Sequence, residues 1–433
     1  MTPRKVSIVR TASSSVVLRM VSLACTLVQV PIVMPYLGED FFGFWMVLVA
    51  IGGFFGLSDL GISSAFQNDV TLADTRGDRA RLRSMFLTAQ GALFVFAVVG
   101  AAILVGVAVT LGKVSFFRDL PPRVAERADF FTIIFVAIVA FNAPLALSSR
   151  LAFGLHEGRL ANLTAVVAQL LTLGAMTVSA RFRAPFAVFL LTTIVPTLLA
   201  NFVLGIWLFR KLPPNEGKLW AGTEYAKHTV RTGIPFLALG ASLPLFFGLG
   251  PLLLSSTCGP AVVTVYSLAT RALGVLHNLE AGVLGATWPP LTEAIERADF
   301  AWVRRCLRRN TLIAGLAFCL PALLFPLLGP SLLALWSGLP ASSFSLWIIW
   351  PVTLLFCAVL FQGPFYIALS AAGSVGVLAA SHFAAAAAVL GAAAVWHQSP
   401  HLIPAFIAGA FALFALPLPI AQTRRLLRPV PAR

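Results

Sequence analysis

Charged residues are scarce in this sequence. Only 11% of the 433 residues are Asp, Glu, Lys or Arg, whereas soluble domains carry about a quarter. Hydrophobic residues make up 59%, and the mean hydropathy is +0.91. So few charges cannot cover the surface of a soluble fold, and so much apolar surface excludes disorder. Many stretches reach the roughly 20 apolar residues that a spanning helix needs. We therefore predict an all-α polytopic membrane protein.

Cysteines and catalytic motifs are also lacking. The five cysteines are scattered and form no C-x-x-C pair, which argues against a zinc or redox site. The sequence contains no G-x-S-x-G, H-E-x-x-H or P-loop motif. We predict that the protein is not an enzyme and uses no metal or cofactor. The net charge of +15 fits attraction to anionic lipid headgroups rather than binding to nucleic acid.

Apolar runs and basic residues predict the topology. We expect about twelve spans, at roughly 14–37, 42–66, 85–111, 130–153, 160–180, 186–209, 233–256, 261–288, 310–330, 344–370, 375–396 and 402–422. Of the 31 basic residues, 23 lie in the N-tail, in the C-tail, after even-numbered spans or at the end of span four (Arg150), and six lie after odd-numbered spans. We therefore predict a protein of the cell inner (plasma) membrane, and the positive-inside rule places both of its termini on the cytoplasmic side.

The chain matches itself when it is shifted by 221 residues. Charged positions recur at this constant offset, for example Arg76 with Arg297 and Asp78 with Asp299. Each half holds six spans, so both halves have the same orientation and form a parallel repeat. We predict two six-helix lobes, V-shaped around a central cavity. The N-terminal lobe covers residues 1–209, a cytoplasmic linker covers 210–232, and the C-terminal lobe covers 233–433. Such repeats are typical of alternating-access transporters.

Two stretches resemble a known family. Residues 43–86 contain D-L-G-I-S-x-A followed by A-x-x-R-G-D, and residues 262–310 contain Y-S-L-A-x-R followed by W-P-P-L-x-E-A. These motifs are similar to those of O-antigen-type polysaccharide flippases in the multidrug/oligosaccharidyl-lipid/polysaccharide exporter (MOP) superfamily. The resemblance implies a lipid-linked oligosaccharide substrate, moved to the outer leaflet for lipopolysaccharide, exopolysaccharide or related surface polymers. It also implies membrane lipids, a coupling ion (H+ or Na+) and polysaccharide polymerase machinery as partners.

Three other functions remain open from the sequence. A drug/cation antiporter of the same superfamily would need acidic residues near the midplane, and few are present. A major-facilitator transporter would carry a D-R-x-G-R-R type loop, of which residues 74–79 are a partial copy. An integral polysaccharide polymerase would have a large outer loop rich in Arg and His, whereas the loop at 112–129 has no histidine.

Two arginines lie well inside predicted spans, where a charge is costly. Arg19 lies near the start of span one, and Arg271 lies about ten residues into span eight. We interpret both as cavity-lining cations for a diphosphate, because the planar guanidinium binds phosphate oxygens bidentately. For Arg19 the alternative is snorkelling to the headgroups, and for Arg271 it is a structural ion pair.

Other polar residues within spans complete the predicted site. Asp59 and Glu280 are repeat-equivalent, and we interpret them as proton- or cation-coupling groups, as gate residues, or as hydrated carboxylates at helix ends. His277 lies one turn before Glu280 and forms either a proton relay with it or a packed neutral side chain. Asn142 and Gln362 are repeat-equivalent, precede prolines, and are predicted to bind substrate, although interhelical hydrogen bonding is the default role of such residues.

Overall fold

The computed structural model describes residues 3–55, 62–110, 127–214, 220–285, 287–396 and 399–427. Within these ranges every regular element is helical. The first eight α-helices are α1 Pro3–Phe55, α2 Ile62–Thr75, α3 Leu82–Thr110, α4 Ala128–Gly154, α5 Gly158–Arg181, α6 Phe186–Lys211, α7 Thr223–Cys258 and α8 Pro260–Gly285. The others are α9 Trp288–Glu296, α10 Phe300–Ile313, α11 Leu320–Leu323, α12 Phe325–Ser337, α13 Leu346–Ala371, α14 Val375–Val395, α15 Ile403–Ala410 and α16 Pro417–Leu426.

Most predicted spans correspond to long apolar helices. Within the described ranges, eight segments are long and apolar enough to cross a membrane: Val17–Gly53, Arg79–Ala102, Ala128–Gly154, Gly158–Arg181, Phe186–Lys211, Leu346–Ala371, Gly376–Val395 and Pro400–Leu426. A ninth is obtained if Phe300–Leu323 and Phe325–Ser337, which meet at a 63° bend, form one span. Helix α8, the predicted span eight, is less apolar because it carries Arg271 and Glu280. The all-α polytopic membrane fold is therefore confirmed.

The internal repeat is visible in the backbone. Gly38 and Gly259 both have positive φ, 73° and 84°, and lie 221 residues apart. Gly38 separates the first two predicted spans inside α1, and Gly259 separates α7 from α8. The same offset joins Gly77 (φ 75°) to Ala298 (φ 56°). A left-handed residue is costly for alanine, so its recurrence at position 298 indicates that both halves need this turn.

The described residues form two compact units. The first unit contains those up to Gly38 and those from Ile51 to Ala241; the second contains Glu39–Ala50 and those from Ser242 onward. The first has a buried core of side chains from α2 to α6, including Phe66, Phe86 and Leu208. The second has a buried cluster that joins α8, α9, α10 and α13.

Hydrogen bonds between α1 and the α5 region hold the first unit together. The pairs are Ser14–Asn162, Ser22–Gln169, Gln29–Met176 and Tyr36–Ala184. Partners are 147 or 148 residues apart in every pair, so the two segments run in the same direction. Successive pairs are seven or eight residues apart, about two helical turns, which keeps them on one face. This parallel pairing agrees with spans one and five crossing the membrane in the same sense.

Candidate functional site

Arg271 lies beside two aromatic rings in the second unit. Its guanidinium carbon is 5.4 Å from the centroid of Trp45 and 5.8 Å from that of Phe42. Both distances are within the range of a cation–π interaction. The two rings are buried and meet edge to face at a centroid distance of 5.6 Å. The aromatic pair therefore stabilises a cation in an apolar helix and limits where the guanidinium can move.

A close backbone contact positions this aromatic pair. An added Cβ on Gly43 would lie 1.9 Å from the carbonyl oxygen of Pro260, so no larger residue fits there. The hydroxyl of Thr264 donates a hydrogen bond to the carbonyl of Glu39. These contacts join the segment after the Gly38 kink to the beginning of α8. The rings thus reach Arg271 because two glycines, at 38 and 43, permit the turn and the approach.

Glu280 is a buried carboxylate near the end of α8. It is 1% exposed, and its Oε2 lies 3.7 Å from Nδ1 of His277. Its Oε1 has no hydrogen-bond partner among the described residues. Gly363 of α13 lies against it, where an added Cβ would be 2.6 Å from Oε1. The predicted pairing of His277 with Glu280 on one face is therefore present, and the glycine makes room for the carboxylate.

Gln362 is buried between helices of the second unit. Its Nε2 donates to the carbonyl of Ala415, and its Oε1 lies 3.2 Å from Nε2 of His382. His382 is fully buried and stacks on Phe411. Both ends of the Gln362 amide are thus engaged inside the unit. Its neighbour Gly363 touches Glu280, so Gln362 helps to position the wall beside that carboxylate.

Asn142 belongs to a polar cluster in the first unit. Its Oδ1 accepts a hydrogen bond from Nδ2 of Asn201 at 3.3 Å. Asn201 in turn accepts from the hydroxyls of Ser148, through its backbone carbonyl, and Ser149, through its side chain. The cluster joins α4 to α6 beside a cavity of about 230 Å³. Asn142 and Gln362 therefore share an interhelical hydrogen-bonding role in the two halves.

Arg19 and Arg271 belong to different units. Arg19 is exposed on α1 in the first unit, whereas Arg271 lies in the second. Within the described ranges Arg19 has no ion pair. Asp59 lies outside the described residues, so its equivalence to Glu280 stays a prediction.

A polar cavity in the first unit was not predicted from the sequence. It has a volume of about 1020 Å³ and lies between α2, the start of α3 and the start of α7. Asp69 lines it, with an Oδ2 that is 3.9 Å from Nδ1 of His228. Tyr225 lines it too, one turn before His228. The three-residue spacing of Tyr225 and His228 could have indicated that both lie on one helix face. Their neighbour Asp69 could not be found in this way, because it lies more than 150 residues earlier in the chain.

Burial changes the pKa of two groups that line this cavity. Burial raises the pKa of the Asp69 carboxyl, and the Tyr225 hydroxyl and His228 partly oppose that shift. Burial, followed by the nearby Asp69 charge, raises the pKa of the Tyr225 hydroxyl. The segment that precedes α7 is attached to α3 beside the cavity, because the backbone N–H of Ala221 donates to the Thr88 hydroxyl at 2.8 Å.

Solved structures with the same fold are membrane transporters. An inward-facing multidrug resistance MATE family transporter of the MOP superfamily is 14% identical, with a TM-score of 0.69 over 97% of this chain and 98% of its own. The outward-facing form of such a transporter is 13% identical, with a TM-score of 0.68 over 99% and 97%. A MOP superfamily transporter from Pyrococcus furiosus is 13% identical, with a TM-score of 0.68 over 98% and 96%. The chain thus has the fold of MOP superfamily transporters.

The family follows from the sequence. A family model described as "Polysaccharide biosynthesis protein" matches residues 8–295, which is more than half of the 433 residues. The chain belongs to this polysaccharide biosynthesis protein family. No curated protein matches the sequence. The resemblance to polysaccharide flippases of the MOP superfamily is confirmed by the family and the shared fold.

Proposed function

We propose that the protein is an alternating-access flippase in the cell inner membrane, with both termini in the cytoplasm. Its substrate is a polyprenyl-diphosphate-linked oligosaccharide, which it moves from the cytoplasmic to the outer leaflet. The membership of the polysaccharide biosynthesis protein family and the MOP superfamily fold support a transporter in this pathway. The proposal also includes the predicted lobe boundaries at residues 209 and 233. It further includes a central cavity, which is lined by spans one, two, seven and eight.

The observation that carries the proposal is the position of Arg271 beside the aromatic pair. The planar guanidinium of an arginine suits the oxygen atoms of a diphosphate, which it can bind bidentately. Such charge-assisted hydrogen bonds are about twice as strong as neutral ones. In the proposal, Arg271 and Arg19 neutralise the diphosphate, while Asn142 and Gln362 fix the helices that line its path.

Glu280 is the proposed coupling residue, and His277 is its proton partner. A buried carboxylate beside a histidine binds a proton or a small cation when its surroundings are desolvated. The burial of Glu280 in the second unit, with Gly363 beside its carboxylate, supports this role. Asp59 is proposed to act in the same way in the first unit.

A drug/cation antiporter is the second candidate. It is favoured by the multidrug transporters among the matching folds and by the buried Glu280. The small number of acidic residues within the predicted spans favours the flippase instead. For the Pyrococcus furiosus transporter, a reverse polarity of the binding pocket suggests a different function. The MOP fold also disfavours the major-facilitator alternative.

The function is tested by the lipid-linked intermediates of cells depleted of the protein. We expect diphosphate-linked sugar chains to accumulate on the cytoplasmic leaflet while the surface polymer is lost, and mass spectrometry would identify the sugar. Cells carrying the wild-type chain on a plasmid are the control. A normal lipid-linked pool together with raised sensitivity to cationic dyes would contradict the flippase and support the antiporter.

Coupling is tested with the isosteric change Glu280→Gln. In proteoliposomes we expect a pH gradient to stimulate transport by the wild type and to have no effect on Glu280→Gln, because the amide cannot exchange a proton. Glu293→Gln is a matched control, since Glu293 is exposed and paired with Arg297. If Glu280→Gln and Asp59→Asn both keep the stimulation, neither carboxylate couples transport to protons.

A further inference from the structure

An apolar groove lies between α5 and α6 of the first unit. This α5–α6 groove has a volume of about 790 Å³, within the range of ligand sites. Its walls include Leu163, Val167 and Val203, which are 40%, 52% and 64% exposed. Among the described residues that line it, Thr164 carries the only hydroxyl, and that hydroxyl is bound to the carbonyl of Leu160. The groove therefore offers no polar partner along its length and suits a hydrocarbon chain.

One end of the groove is basic. Trp207 lines that end, and the ammonium of Lys211 lies 3.5 Å from the centroid of its ring. Arg159 precedes Leu160 at the same end of α5, and Arg210 precedes Lys211. Glu157 is the one acidic side chain within two residues of these cations in the chain. Within the described ranges, none of the three cations forms an ion pair.

The groove is shorter than the hydrocarbon core of a bilayer. Its α5 wall runs from Leu160 to Ala175, and fifteen residues of helix rise about 22 Å. The hydrocarbon core of a bilayer is about 30 Å thick. A groove that begins at a basic headgroup level thus ends inside the bilayer, beyond its midplane. An acyl chain fits this length, whereas a long polyprenyl chain would extend past it.

We propose that the α5–α6 groove is a specific binding site for an anionic phospholipid. One acyl chain lies in the groove, and the phosphate lies at the end marked by Lys211 and Arg159. Trp207 contacts the glycerol region, where aromatic residues are enriched in membrane proteins. The site lies wholly within the first unit, on helices that carry neither Arg271 nor Glu280.

Quenching of Trp207 fluorescence by brominated lipids tests this site. Nanodiscs of phosphatidylcholine would contain either brominated phosphatidylglycerol or brominated phosphatidylcholine. Subtracting the signal of Trp207→Phe isolates Trp207 from the other tryptophans. We expect the anionic lipid to quench this component at an about fivefold lower mole fraction, the factor that one basic residue near a charged surface contributes. Lys211→Gln should remove most of the difference, whereas Lys227→Gln should retain it, because Lys227 is exposed and paired with Glu224.

A second variant separates the groove from the surrounding lipid. Ala200→Phe fills the groove and should abolish the saturable quenching, whereas Ala387→Phe, on an exposed face of α14, should not. Equal quenching by both brominated lipids would show ordinary annular contact and overturn the proposal. Quenching that polyprenyl phosphate relieves, but excess unbrominated phosphatidylglycerol does not, would assign the groove to the carrier lipid and also overturn it.

Discussion

Replacing Arg271 with glutamine is expected to abolish transport while the protein is still expressed and inserted. Glutamine keeps a polar side chain near Phe42 and Trp45 but removes the charge that pairs with the diphosphate. Hydrogen bonds to charged groups contribute about 1.5–3 kcal/mol, so a loss of at least tenfold should appear in the rate of surface-polymer recovery. Arg271→Lys should also be strongly impaired, because lysine keeps the charge and loses the planar fork.

The controls for this experiment come from the same chain. Arg308→Gln removes an exposed arginine from α10 and should leave transport unchanged. Trp45→Leu should give an intermediate loss, because it removes one ring from the aromatic pair and leaves the guanidinium in place. Unchanged transport by Arg271→Gln would remove Arg271 from the site and leave the flippase proposal without its main structural support.

The change Gly363→Ala is expected to destabilise the second unit, although alanine is the better helix former. At most positions inside a helix this change stabilises by up to about 1 kcal/mol. At position 363 the new Cβ would lie 2.6 Å from Oε1 of Glu280, and overpacking typically costs about 1–3 kcal/mol. The apparent melting temperature of the purified protein should therefore fall.

Gly391→Ala is the matched control for Gly363→Ala. Gly391 lies inside α14, and no atom lies within 4 Å of an added Cβ, so its replacement should raise the melting temperature or leave it unchanged. The double variant Glu280→Asp with Gly363→Ala should recover part of the loss, because aspartate is shorter by one methylene. Additive effects of the two changes would mean that these residues do not interact.

Sequence patterns predicted the helices and the repeat well, for identifiable reasons. Length and hydropathy are local properties, so apolar runs could be assigned to helices such as α4 and α6. The repeat was evident from charged pairs, and the positive φ at Gly38 and Gly259 now gives a backbone reason for part of it. The pairing of His277 with Glu280 was predictable as well, since both lie on one helix.

The contacts that define the candidate sites were not predictable in the same way. The aromatic rings reach Arg271 from a segment more than 220 residues earlier in the chain. Nothing in the sequence distinguishes Gly363 from the other glycines, of which there are 33 in total, and its contact with Glu280 is evident only in the structure. The proximity of Asp69 to His228 also joins distant parts of the chain. Hydrophobic periodicity carries no information on which distant helices meet.

The hydrogen bonds between α1 and the α5 region also imply a delay during biosynthesis, because α1 is synthesised well before its partners. Each partner of α1 is synthesised 147 or 148 residues later, and a chain that grows at about 5–20 residues per second needs roughly 7 to 30 s to reach it. During this interval Ser22 and Gln29 are in the membrane without those partners. Each such interhelical bond is worth only about 0.6–2 kcal/mol, so the wait is tolerable for a single helix. Helix α1 is therefore inserted before its hydrogen-bond partners exist, and its contacts with the α5 region form only after the fifth span has been synthesised.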